Sequence, residues 1–350
     1  MKIVIDARMY QESGVGRYIR NLIENLKKID KQNEYILFSQ DIKWYSIKEQ
    51  IKLPGLLKSL KPDLVHFPHF NVPIFYKGKF VVTIHDLIHQ HYSMQRATTH
   101  GPLIYKLKQF GYKKVFANAI KKSEKILVPS NFVKNQLIKD WQVDAEKIVV
   151  TYEAVDDKIL HSATKKLTKP YALNPKPYLF YVGNVHPHKN VEGLIKAFFK
   201  LKKDHKDLKL VLAGSDHYFW QRIKKEFKDD GIIYKGYISD EELVTLYKNA
   251  ICFVMPSFEE GFGIPILEAM ALSCPIISSN AGSLPEVGGD ACLYFDPHDE
   301  EDMINKINKI INDENLRKDL IKKGLIRYKK FSWQKLAKQT LEVYENSTSS

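Results

Sequence analysis

Two carboxylates eight positions apart, Glu260 and Glu268, bracket the stretch Pro256-Ser257-Phe258-Glu259-Glu260-Gly261-Phe262-Gly263-Ile264-Pro265-Ile266-Leu267-Glu268. The apolar run before it, residues 250–255, reads as a buried strand, and Pro265 suits the first position of a helix. Glu260 is therefore expected in a loop and Glu268 about one turn into the helix. Gly261 and Gly263 let the backbone approach a ligand closely, and the helix start offers unpaired N–H groups to an anion. Donors for a phosphate and acceptors for hydroxyl groups in one place are what a nucleotide-sugar requires. A plain strand–turn–helix corner with two surface carboxylates has the same spacing, and spacing alone does not separate the two.

Short apolar runs along the chain must position these groups. In the first half residues 3–5, 35–38, 64–67, 80–84, 125–130 and 148–152 read as strands, with helical patterns between them. Residues 165–176 are polar, carry Pro170 and Pro175, and read as a linker. A second series follows at residues 178–182, 208–214, 232–234, 252–255 and 275–277. This alternation argues for a parallel, doubly wound sheet in each half, with ligands at the carboxyl ends of the strands. The expected fold is α/β, with two Rossmann-like domains, 1–168 and 169–331, facing one another across a cleft.

The Glu-x7-Glu pair within Glu260-Gly261-Phe262-Gly263-Ile264-Pro265-Ile266-Leu267-Glu268-Ala269-Met270-Ala271 resembles the signature of retaining glycosyltransferases of family 4 (glycosyl transferases group 1), which have the GT-B fold. The resemblance continues through Pro275-Ile276-Ile277-Ser278-Ser279 and Gly282-Ser283-Leu284-Pro285-Glu286, and reaches both ends of the chain. It implies that Glu268 accepts from ribose hydroxyls and Glu260 from hydroxyls of the transferred sugar. Gly261, Phe262, Gly263, Ile264 and Leu267 would complete that side of the donor site. Gly183-Asn184-Val185-His186-Pro187-His188-Lys189-Asn190 corresponds to the family's basic diphosphate-binding loop. Lys189 would there offset charge on the leaving group, with Gly183 and His188 beside it. Relatives commonly carry Arg where this chain has Asn184 or His188, so His188 or a more distant group must supply the second donor. Gly214 and Ile238 resemble loop positions that contact the nucleotide.

In the first half, Gly14-Val15-Gly16-Arg17 corresponds to a glycine loop that approaches the diphosphate from the acceptor side. It lacks the third glycine of a hydride-transfer fingerprint. Thr83-Ile84-His85-Asp86 resembles the family segment whose histidine lies near the transferred sugar. Arg17, His66, His85 and Asp86 are the expected acceptor-side residues, and His85, Lys189 and Glu260 the expected catalytic ones. A closing helix, 332–345, is expected to cross back to the first domain. No Asp-x-Asp motif occurs, and His85, His89 and His91 lack a further ligand set, so neither metal nor cofactor is expected.

Charge and composition narrow the setting. The three cysteines, Cys252, Cys274 and Cys292, sit among apolar or small residues and read as buried free thiols. No run is long enough to span a bilayer, and the sequence opens on a strand with no signal-peptide pattern, so a cytoplasmic protein is expected. The net charge is +13, and Lys106, Lys108, Lys113, Lys114, Lys121, Lys122 and Lys125 interleave with apolar and aromatic side chains. Such a helix suits the anionic inner face of a membrane, or merely presents a solvated lysine face. Charge alone would also suggest a nucleic-acid binder with steeply salt-dependent affinity, but no nucleic-acid partner is expected.

The expected activity is transfer of a hexosyl unit from a nucleoside diphosphate sugar to a hydroxyl of a glycan or lipid-linked saccharide, in cell-surface polysaccharide biosynthesis. The resemblance implies a front-face reaction in which the departing phosphate oxygen takes the acceptor proton. The Glu-Gly-Phe-Gly-Ile-Pro form is similar to many bacterial mannosyltransferases, which makes GDP-mannose the first expected donor and a UDP-sugar the second. The alternatives are a glucosyl-, rhamnosyl- or galactosyltransferase, an epimerase on a nucleotide-sugar, or a non-catalytic homologue that holds nucleotide or membrane.

Overall fold

The computed structural model describes residues 1–12, 14–91, 102–164, 177–215 and 218–348, with backbone alone for 102–108. The expected linker at 165–176 and the side chains of Lys106 and Lys108 lie outside the described residues. The chain divides into two compact units, Met1–Glu153 with Ser332–Ser350, and Ala154–Phe331.

The first unit holds a six-stranded sheet of β1 (Lys2–Asp6), β2 (Glu34–Phe38), β3 (Leu64–Phe67), β4 (Phe80–Thr83), β5 (Ile126–Val128) and β6 (Ile148–Val150). Its order is β2-β1-β3-β4-β5-β6, and neighbouring strands run parallel, Val4 pairing with Ile36 on one side and Val65 on the other. The helices are α1 (Gly14–Ile29), α2 (Ile47–Ser59), α3 (Ile88–His91), α4 (Pro102–Lys122) and α5 (Asn131–Trp141). β3 and β4 are buried at every residue, as parallel strands covered on both faces must be. Val65, Phe67, Phe80, Val82 and, from α4, Phe116 meet in one core. Each such side chain contributes about 1.5–3 kcal/mol by leaving water. Ser46 opens α2 by accepting from the Glu49 N–H at 3.2 Å, and Ser130 does the same for α5 through Val133.

The second unit repeats the plan with β7 (Tyr178–Val182), β8 (Lys209–Ala213), β9 (Ile232–Gly236), β10 (Cys252–Met255), β11 (Ile276–Ser279) and β12 (Leu293–Phe295). The order is β12-β11-β10-β7-β8-β9, again parallel. Its helices are α6 (Asp157–Thr164), α7 (Val191–Asp204), α8 (Tyr218–Glu226), α9 (Asp240–Asn249), α10 (Ile264–Ala271), α11 (Leu284–Gly288), α12 (Glu300–Asn312) and α13 (Glu314–Arg327). The unit begins at Ala154, ahead of the expected boundary after residue 168, because α6 packs on α9. The three cysteines are buried and unpaired with one another.

The last helix, α14 (Trp333–Thr348), belongs to the first unit and lies along α1. Its Tyr344 hydroxyl is 2.6 Å from His66 Nδ1, while His66 Nε2 is 2.8 Å from Thr83 Oγ1, itself 3.1 Å from the Tyr18 hydroxyl. Both sheets have a point at which strand order reverses, between β1 and β3 and between β7 and β10. In open α/β sheets ligands gather outside the carboxyl ends of the strands at that point.

Candidate active site

In the second unit the loops after β7 and β10 meet at the reversal point. The first closes in a tight turn, Pro187–Lys189, and enters α7 through Asn190, whose φ of 51° is left-handed. The second enters α10 through Gly263 at φ 104°, where a side chain would strike Leu284. The Phe258 N–H donates to the His188 carbonyl at 2.7 Å and ties the two loops together.

Lys189 and Glu260 thereby come into contact. The Lys189 ammonium donates to both Glu260 oxygens, at 2.6 and 2.7 Å, with both side chains mostly shielded from water. Ser257 Oγ donates to Glu260 Oε1 at 2.6 Å, and Ser279 Oγ donates to the Ser257 carbonyl at 2.6 Å. Ser283 braces the main chain, its hydroxyl 2.9 Å from the Glu260 carbonyl and 2.8 Å from that of Phe262. Gly282, at φ 62°, has no room for a Cβ, which would stand 2.8 Å from the Glu260 nitrogen. Three serines and a glycine from β10, β11 and their loops thus fix one carboxylate against one ammonium. Burial raises the Tyr181 hydroxyl pKa well above its ordinary value, and the nearby Glu260 charge adds to that.

Glu268 is placed differently. It is only 2% exposed on α10, where its Oε2 accepts from the Tyr247 hydroxyl at 3.2 Å. Gly261, Phe262 and Leu267 are buried, Ile264 is half-buried, and the Phe262 ring lies 5.8 Å from Phe331. Gly183 and Gly214 carry the backbone out of β7 and β8 side by side, the Gly183 N–H donating to Ala213 and the Gly214 N–H to Gly236. A side chain on Gly214 would collide with the Gly183 carbonyl. Ile238 is half-buried just before Ser239, the residue that caps α9. His188 is buried with its ring stacked on His186. The donor-side residues named from sequence therefore lie at the carboxyl ends of β7 to β10 or on α10.

The first unit rearranges the other expectations. Gly14 opens α1 and faces open space, whereas a Cβ on Gly16 would stand 2.6 and 2.7 Å from the Tyr10 and Met9 carbonyl oxygens. Close packing within the protein alone requires glycine at position 16. Arg17 is half-buried on α1. His66 does not line an acceptor surface: it is 0% exposed, and both ring nitrogens are engaged by Tyr344 and Thr83. It lies one residue before the end of β3, but its side chain points to Tyr344 of α14 and to Thr83. Burial, then the nearby His85, push its pKa down to about 3. Asp86 turns its carboxylate back to accept the Ile88 N–H at 3.1 Å and opens α3.

His85 holds a distinct arrangement. Its Nδ1 is 3.2 Å from Glu153 Oε1 and its Nε2 is 2.9 Å from the Pro68 carbonyl oxygen, while the Tyr18 ring packs edge-on 4.9 Å away. The Pro68 carbonyl can only accept, so Nε2 carries a proton, and the Glu153 carboxyl group beside Nδ1 favours the charged form of the ring. Burial pushes its pKa down, but the Glu153 hydrogen bond and charge, the Pro68 carbonyl and Asp86 outweigh that and leave it raised.

Glu153, Ser257 and Ser283 were missed by motif reasoning. Ser257 and Ser283 lie inside the quoted segments, so only their small polar side chains hid them. Glu153 follows β6 and could have been found by the strand-end rule that singled out His85. Among the described residues no group of three His, Cys, Asp or Glu side chains is arranged to hold a metal ion, and no helix is long and apolar enough to cross a membrane.

The family profile "Glycosyltransferase Family 4" matches residues 13–158, and "Glycosyl transferases group 1" matches residues 164–327. The O-antigen chain mannosyltransferase B of Escherichia coli is 33% identical over 297 residues, covering 83% of this chain and 76% of that protein. The O-antigen chain mannosyltransferase RfbU of Salmonella typhimurium is 28% identical over 298 residues, covering 83% and 75%. Among solved structures, Anabaena HepE in complex with UDP-glucose superposes with a TM-score of 0.76 at 15% identity, covering 99% of this chain and 100% of that one, a likeness of fold. With two parallel six-stranded sheets, a family 4 first half and a group 1 second half, the chain belongs to the GT-B glycosyltransferases and is a hexosyltransferase.

Proposed function

We propose that this hexosyltransferase moves mannose from GDP-mannose to a hydroxyl of a glycan or lipid-linked saccharide, with retention of anomeric configuration, in cell-surface polysaccharide synthesis. The observation that carries the proposal is the Lys189–Glu260 pair at the reversal point of the second sheet. An ammonium there meets the donor diphosphate and offsets charge as the bond from the sugar C1 to the phosphate oxygen breaks. Glu260, freed in part from Lys189, accepts from the sugar hydroxyls, and Ser257 keeps it aimed. Glu268 accepts from the ribose beside Tyr247, and the side-chain-free row Gly183–Gly214, with the main chain near Ile238, accommodates the nucleotide. The departing phosphate oxygen takes the acceptor proton, so no protein nucleophile is required. The choice of mannose rests on the two O-antigen mannosyltransferases described above.

The protein works at the inner face of the cytoplasmic membrane. Lys113, Lys114, Lys121 and Lys122 are exposed on α4, and the Phe110 ring is exposed under the Lys114 ammonium, 4.5 Å away. Such a face suits an anionic surface.

The test is incubation with GDP-mannose and a mannose-terminated oligosaccharide, with the one-bond carbon–proton coupling at the new anomeric centre read by NMR. An α-linked product is expected. A β-linked product contradicts retention, and absence of transfer from GDP-mannose with turnover of another nucleotide-sugar contradicts the donor.

A further inference from the structure

In the protein without substrate, Lys189 and Glu260 satisfy one another so fully that each blocks the other. The Lys189 ammonium reaches Glu260 Oε1 at 2.6 Å and Oε2 at 2.7 Å, which commits two of its three N–H groups. Oε1 accepts in addition from the Ser257 hydroxyl at 2.6 Å, whereas Oε2 depends on Lys189. Glu260 is 6% exposed, and among the described residues Lys189 is the one cation within ion-pair distance of it.

The carboxylate is also held in place. Ser283 donates to the main-chain carbonyls of Glu260 and Phe262, and Gly282 lies against the Glu260 nitrogen with no room for a side chain. With Ser257 aiming the carboxylate as well, Glu260 stays where it is when the ammonium turns to another partner.

This geometry sets two anions in competition for one ammonium. In the proposed reaction the donor diphosphate takes Lys189. It cannot do so at full strength while the carboxylate keeps its two N–H groups, because two anions within reach of one cation repel each other. Once Lys189 has turned away, Oε1 keeps Ser257 and Oε2 keeps nothing, and a buried carboxylate stripped of its cation is costly. Hydroxyl groups of the transferred sugar are O–H donors that fill the vacated positions. A nucleoside diphosphate without its sugar brings none to this place.

We infer that Glu260 is an internal competitor for Lys189, which sets the site against free nucleoside diphosphate and in favour of the nucleotide-sugar. The inference rests on the proposed transferase reading and deepens it. Sugar and diphosphate bind as a pair, the sugar satisfying Glu260 and the diphosphate Lys189. After transfer the sugar leaves with the acceptor, Glu260 loses its hydroxyl donors and retakes Lys189, and the spent nucleotide is displaced.

Titration calorimetry on the full chain tests this with GDP and GDP-mannose, and with UDP and UDP-glucose as a second pair. In the pair that binds, the wild type should hold the nucleotide-sugar about tenfold or more tighter than the nucleoside diphosphate, the worth of one hydrogen bond to a charged group. Glu260→Gln keeps the shape without the charge that holds Lys189. It should tighten the nucleoside diphosphate by about tenfold and abolish the preference for the nucleotide-sugar. Glu260→Asp, which keeps the charge but draws it back from Lys189, serves as a second variant with a smaller shift in the same direction. A wild type that binds both members of a pair equally, or a nucleoside diphosphate that neither variant binds more tightly, overturns the inference, while nucleotide binding itself leaves the transferase reading intact. A wild type that binds neither pair removes that reading and this inference with it.

Discussion

His85 shows how the surroundings of a side chain found near a strand end shift its titration. Glu153 and the Pro68 carbonyl lie within hydrogen-bond distance of its two ring nitrogens, while Tyr18, His66, His69 and Asp86 lie around it. Its pKa is raised in the folded protein, so the stability it contributes is fully present below about pH 6.5, the unfolded value, and is lost as pH rises through the folded one. Glu153→Gln should therefore destabilise by about 1–3 kcal/mol below pH 6.5, the worth of a charged hydrogen bond, and by less as pH rises. Urea unfolding at a series of pH values measures this, and a loss that grew with pH would contradict a raised pKa at His85. His66 and His69 act with the opposite sign. Their folded pKa values are depressed to about 3, so acid below pH 6.5 protonates the unfolded chain first and favours unfolding.

At the level of elements, the geometry of the Lys189–Glu260 pair depends on the corner that joins β10 to α10 and is braced by the chain after β11. Gly282 is the tightest point, with positive φ and the Glu260 backbone within 3 Å of any added Cβ. Gly282→Ala should cost about 1–3 kcal/mol of stability from backbone strain and lower kcat by displacing Glu260 from Ser257 and Lys189. Unchanged kcat with an unchanged melting temperature would show that the corner tolerates the shift. Most of this corner was legible in sequence. The apolar run of β10, the glycines and Pro265 each force a local conformation. The strand series of both halves was legible for the same reason, since fully buried parallel strands leave continuous apolar runs. What sequence hid was pairing at a distance. His66 ends its strand as expected, but its partner Tyr344 lies on α14, 278 residues away. Glu49, which holds Arg8 from the first turn of α2, belongs to no motif in the sequence. Local pattern carries no information on which distant polar groups meet.

At the scale of the whole molecule, the two units follow one architectural rule. Each places its buried polar cluster at the reversal point of a parallel sheet, Lys189–Glu260 in one and Asp6–Arg8–Glu49 in the other. The positive charge outside these clusters is concentrated in part on α4. Replacing Lys113, Lys114, Lys121 and Lys122 together by Gln should release the protein from vesicles containing phosphatidylglycerol, at about 1 kcal/mol per lysine near the surface. Co-sedimentation reads this, and binding that the substitutions leave unchanged would remove α4 from the membrane contact. The central claim is that the second unit holds a nucleoside diphosphate through Lys189. It is tested most directly by thermal unfolding with GDP, UDP, dTDP, ADP and NAD at equal concentrations, in the wild type and in Lys189→Ala. A ligand at about a hundred times its dissociation constant adds roughly 2.7 kcal/mol. The account predicts that GDP stands out and that Lys189→Ala loses most of that stabilisation. No response to any diphosphate, or a GDP response untouched by Lys189→Ala, would contradict it.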